Sequence, residues 1–88
     1  MRVEMGLDVR QVVAEVEQER RRQDVKHGGP SHDDTHTPFE WQDMIDGHLQ
    51  RAHGHCVDGA RELWRREMIR VAALAVAAAE ALDRGAMR

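Results

Sequence analysis

The chain has 88 residues, of which 41% are apolar and 33% charged, which makes one domain, too apolar for disorder and too short to bury a large core alone. Its net charge of −3 excludes a global basic field for nucleic acid, and its single cysteine, Cys56, excludes an internal disulfide. The longest apolar run, Val71 to Ala79, is nine residues, and the acidic N-terminal stretch has no apolar core of signal-peptide length, so no membrane span and a reducing, cytoplasmic setting are expected.

In chain order, the first predicted element is a helix from about Asp8 to Lys26 (8–26). Asp8 is placed to cap it and Gln11 stands at the reciprocal capping-box position. Val9, Val12, Val13 and Val16 follow i, i+3, i+4, i+7 spacing and form one apolar stripe. Four valines are poor for intrinsic helix propensity, so packing must stabilise this segment. Glu19-Arg20-Arg21-Arg22 is a short basic run that reads first as a solvated face with i, i+4 pairing, and second as a contact for phosphate or an acidic partner. A loop over 27–37 follows, opened by Gly28-Gly29-Pro30, which end the helix.

The second helix, 38–53, has the clearest start signal. Thr37 is the N-cap, Pro38 the first helical residue and Glu40 the capping-box partner. Trp41, Met44, Ile45, His48, Leu49 and Ala52 share one side, and the helix is expected to end near Gly54. Gly47 costs about 1 kcal/mol relative to alanine and suggests close approach of another backbone. The third helix is expected over 59–84, starting at Asp58 or Gly59 and stopping at Gly85. Trp64, Met68, Val71, Ala75, Ala78 and Leu82 form one apolar stripe on it, and Ile69, Ala72, Val76 and Ala79 a second. Arg66, Arg70, Ala73, Ala77, Glu80 and Arg84 remain as a mostly solvated strip. The apolar face is wider than a single helical seam needs. The fold class is therefore all-α: a three-helix chain forming a helical bundle through dimerisation, with the Trp64–Leu82 stripe as the self-association surface. A compact three-helix monomer is the alternative.

All six histidines lie between His27 and His55. His32, Asp33, Asp34 and His36 in the loop, and His53, His55 and Cys56 near the end of the second helix, carry the ligand types that zinc takes. No standard zinc spacing joins them. The competing readings are structural: Asp33 and Asp34 as turn-forming residues, His48 as a hydrogen-bonded core histidine, His53 and His55 as a polar helix end, and Cys56 as a surface or half-buried thiol.

Three stretches read together carry a resemblance: Glu19 to Gly28, Glu40-Trp41-Gln42-Asp43-Met44-Ile45, and Arg66 to Ala77 continuing through Glu80-Ala81-Leu82-Asp83-Arg84. Across most of 15–84 the chain resembles small phage and prophage proteins described as similar to MazG-type nucleotide pyrophosphohydrolases. The resemblance implies an all-α fold, dimeric or higher, with magnesium held by an E-E-x-x-E motif on one helix and an E-x-x-D motif on the next. Here the first motif falls on Gly47-His48-Leu49-Gln50-Arg51, with none of its acids. Glu67 opens the second, but Arg70 occupies its acidic end. If the hydrolase chemistry were kept, Asp43, Asp46 and Glu67 would carry it. A fold can outlast its activity. The leading expectation is therefore a phage-type accessory protein that binds another protein, such as a host factor. A divergent pyrophosphohydrolase and a zinc-stabilised structural module are the alternatives.

Overall fold

The computed structural model describes residues 2–86, with side chains described from Asp8 onward. Among these the fold is all-α. Helix α1 spans Arg2–His27, α2 Pro30–Asp33, α3 Pro38–Val57 and α4 Arg61–Asp83. Met1, Met87 and Arg88 lie outside the described residues.

The element boundaries differ from expectation at three places, each for a local reason. Asp8 does not cap α1, because the backbone is already helical from Arg2. Residues 2–7 contain ordinary helix formers and only one glycine, so nothing in them forces a start at Asp8. The expected loop holds one turn of helix, α2, begun by Pro30 after Gly28 and Gly29, both at positive φ. Helix α3 runs through Gly54 to Val57 rather than stopping there. Its stop is Gly59, at φ 73°. Gly59 N–H donates to the Cys56 carbonyl at 3.2 Å and Ala60 N–H to the His55 carbonyl at 2.8 Å, the paired bonds of a glycine-terminated helix end. Asp58 and Gly59 therefore close α3, and α4 begins only at Arg61.

The strongest sequence signals hold. Thr37 Oγ1 accepts from Glu40 N–H at 3.2 Å, and Glu40 Oε1 accepts from Thr37 N–H at 2.9 Å. Gly85, at φ 79°, ends α4 by the same device as Gly59: its N–H donates to the Leu82 carbonyl and that of Ala86 to the Ala81 carbonyl.

Helices α3 and α4 form an antiparallel hairpin, and α1 lies along the other side of α4. No comparable packing joins α1 to α3, so α4 is the central element. The core cluster is Trp41 of α3 against Leu74, Ala77 and Ala81 of α4, with Met44, Ile45 and Ala78 around it. This overturns the expected orientation of α4. Ala73 and Ala77, read as solvated, are buried, at 0% and 2% exposure. The broader apolar side, including Trp64, Val76 and Leu82, points outward. Small side chains let α1 and α3 approach the α4 backbone closely, so the alanine face takes the interior and the bulky face is left outside. The α1 valines are likewise outward: Val9, Val12 and Val13 are exposed and Val16 is half-buried. Gly47 meets only the Arg51 side chain, so no backbone approaches it within this chain.

Two substitutions test these ends by thermal or denaturant unfolding. Gly59→Ala forces a left-handed alanine into open space and is expected to destabilise by about 1 kcal/mol. Gly54→Ala, also in open space but at a helical position in the last turn of α3, is expected to stabilise by about 0.5–1 kcal/mol. Were α3 to end at Gly54, the second change would lose its benefit.

Candidate functional site

The candidate site is built around a buried carboxylate. Glu67 of α4 is 3% exposed, on the face that meets α3. His48 Nδ1 lies 2.7 Å from its Oε1. Around Oε2 stand Arg70 Nη1 at 3.4 Å, Arg51 Nε at 3.6 Å and His55 Nε2 at 3.8 Å. Arg51 Nη2 also comes within 2.9 Å of His48 Nδ1. One ring nitrogen cannot donate to Glu67 and accept from Arg51 together. The carboxylate only accepts, so the Nδ1 proton points to Glu67. Burial pushes the Glu67 carboxyl up, but the His48 hydrogen bond and the charges of Arg70, His48 and Arg51 outweigh it and hold the carboxyl below its ordinary value.

A second network ties the C-terminal half of α1 and the α2 turn to the end of α4. Arg20 reaches Glu80 of α4 at 2.7 Å and Asp24 at 3.2 Å, and lies 3.7 Å from Asp33. Arg84 holds Asp34 with two nitrogens, the shorter contact at 2.6 Å. The basic run on α1 therefore splits three ways. Arg20 turns inward, Arg21 pairs with Glu17 on the surface, and Arg22 pairs with Glu19 at the edge of a groove.

That groove, of about 570 Å³, lies between α1 and α3 over the inner face of α4. Its floor includes Trp41, Met44, Leu74 and Ala77. Arg22 and Lys26 of α1, Arg51 of α3 and Arg70 of α4 contribute to its lining. The turn around α2 lines part of it with a ladder of rings. His27 stacks on His32 with centroids 6.2 Å apart, His32 meets His36 edge-on at 4.8 Å, and His36 meets Trp41 edge-on at 5.1 Å.

The residues singled out from sequence are dispersed. His32, Asp33 and His36 line the groove, but Asp34 is held by Arg84, His53 lines a shallow depression with Asp46, and His55 turns toward Glu67. Cys56 is exposed beside Trp64. Among the described residues no three His, Cys, Asp or Glu side chains are grouped to hold a metal ion, so His32, Asp33, Asp34, His36, His53, His55 and Cys56 do not form the expected ligand set. Helical geometry separates the two halves, since residues on α3 cannot all face the α2 turn. Asp43 lines the groove, Asp46 faces the other depression, and Glu67 is surrounded by cations, so the three carboxylates do not converge either. His48 is hydrogen-bonded and half-buried, as the structural reading of it expects. Arg51 and Lys26 acquire a place in the groove only through tertiary packing. Their one advance signal is a basic residue near an apolar helix face. Comparison with protein-family models, curated proteins and solved structures yields no match.

Glu67→Gln is expected to destabilise by about 2 kcal/mol, below the cost of breaking a fully buried pair because its partners keep partial water contact. The folded carboxyl titrates below its ordinary value of 4.5. Its stabilisation is thus fully present above that value and is lost as pH falls through the lowered one. Denaturant unfolding of wild type should weaken across that acid window, and Glu67→Gln should flatten this part of the profile.

Proposed function

We propose that this chain is a non-catalytic binding protein: a helical scaffold that associates with a second copy through the outward face of α4 and acts by engaging another protein. The observation that carries the reading is the apolar surface left outside. Of the expected association stripe, Trp64, Ala75 and Leu82 are exposed, Met68 and Val71 are half-buried, and Ala78 leans toward the core. Val9 and Val13 of α1 add exposures of 62% and 58%.

The size of the surface supports it further. The chain exposes 6598 Å², whereas a compact monomer of its mass exposes about 5,300 Å². The difference exceeds one protomer's share of a standard interface, about 800 Å². The radius of gyration, 14.4 Å, exceeds the roughly 12 Å of a compact domain of this length. Both excesses suit a chain completed by a partner.

The divergent hydrolase is the weaker alternative, because Asp43, Asp46 and Glu67 do not share a site. The zinc module is weaker for the same kind of reason. The resemblance to phage and prophage proteins puts a host protein first among candidate partners and the host cytoplasm first among settings. No helix is long and apolar enough to cross a membrane among the described residues.

Sedimentation equilibrium tests the association. Wild type is expected to be a dimer, and Leu82→Lys with Val76→Lys to shift it to monomer while the helical circular dichroism is kept, since both side chains are already exposed in the single chain. A wild type that stays monomeric at every reachable concentration would end the proposal.

A further inference from the structure

We infer that the groove between α1 and α3 is a binding site for a small organic phosphate, taken directly by cationic side chains without a bridging metal. The site is separate from the outward α4 face and does not depend on self-association.

Three observations meet there. The first is the supply of charged donors. Arg22, Lys26, Arg51 and Arg70 come from three different helices and line one groove, in a chain whose net charge is −3. The arginines are held from the side or from behind. Glu19 takes two nitrogens of Arg22, at 2.9 and 2.6 Å, and Glu67 stands beside Arg51 and Arg70. A guanidinium has five N–H donors, so each keeps donors for a ligand while its head is fixed. Lys26 has no ion-pair partner among the described residues. Two carboxylates, Asp33 and Asp43, also line the groove. Asp33 lies beside Arg20, and Asp43 is exposed on the α3 wall.

The second observation is unsatisfied polarity. The Trp41 indole N–H and Asp33 Oδ2 are buried without a hydrogen-bond partner, and both residues line this groove. Trp41 is 3% exposed. The Trp41 donor lacking an acceptor is costly, and an anionic oxygen removes that cost, whereas Asp33 Oδ2 is itself an acceptor, calls for a donor and does not favour an anion.

The third is shape. The volume of about 570 Å³ matches a small molecule. His27, His32 and His36 around the α2 turn add further polar groups to the groove's lining. Trp41, Met44, Leu74 and Ala77 give the floor an apolar surface for the ligand's organic part. Cationic walls over an apolar floor suit a phosphate monoester carrying a flat or apolar body.

Calorimetric titration with phenyl phosphate, inorganic phosphate and phenol, in buffer containing EDTA, tests the site. Phenyl phosphate is expected to bind saturably and more tightly than inorganic phosphate, phenol is expected to give no saturable heat, and the affinity should fall as salt rises. Lys26→Ala removes one charge-assisted contact and is expected to weaken phenyl phosphate about tenfold. Lys26 is exposed and unpaired, so the variant keeps the fold. Arg61→Ala, on the first turn of α4 and outside the groove, is expected to bind as wild type does. No saturable binding of either phosphate, equal binding by Lys26→Ala, equal binding of phenol, or binding only after a divalent metal is added would each overturn the inference.

Discussion

The hydrogen bond between His48 and Glu67 is the contact on which the rest of the arrangement depends. It joins α3 to α4 at 2.7 Å and carries a carboxylate into the interior. A charge so placed persists only with hydrogen bonds and countercharge around it. Arg70 from the next turn of α4, with Arg51 and His55 from α3, supplies the countercharge. Once Glu67 faces inward, the rotation of α4 follows. Leu74, Ala77 and Ala81, at i+7, i+10 and i+14, lie on the same side and become the floor against Trp41.

That rotation has a consequence on each face of α4. Inward, the alanines admit α1 and α3 closely, and the two outer helices diverge enough to leave a groove between them. The arginines neighbouring Glu67 border that groove, so the same residues that neutralise the buried carboxylate also give the groove its charge. Outward, Trp64, Val76 and Leu82 are left without cover from their own chain. A small domain has few ways to bury such a face, and association is the usual one. The buried acid and the exposed apolar side are thus two results of one orientation.

Much of this was legible in the sequence, and the limits have physical causes. The capping box at Thr37 and Glu40 and the stop at Gly85 were readable, because caps are local: the residues that make the bonds are three or four positions apart. The width of the α4 apolar face was readable from periodicity. Which side faces inward was not, because hydrophobicity alone favours burying Trp64 and Leu82, while packing distance favours Ala73 and Ala77. The partners that α3 offers Glu67, namely His48, Arg51 and His55, favour the second. The expected end of α3 at Gly54 failed because an isolated glycine is tolerated in a helix, and Gly59, at positive φ, is the one that terminates it. The metal-ligand types fall in two groups along the chain, one in the loop and one near the end of α3, yet Asp34 turns to Arg84 and His55 to Glu67. Adjacency in sequence gave no measure of direction in space.

The most direct measurement of the central claim is the titration of the Glu67 carboxyl itself, followed by carbon-detected magnetic resonance on glutamate-labelled protein with Glu67→Gln for assignment. The Glu67 carboxyl is expected to titrate below the ordinary value of 4.5, held there by His48, Arg70 and Arg51 against its burial. A carboxyl that titrates above that value would mean burial prevails without the countercharge. It would contradict the neutralisation of Glu67 by its neighbours and the groove charge built on them, and a carboxyl at the ordinary value would contradict its inward placement.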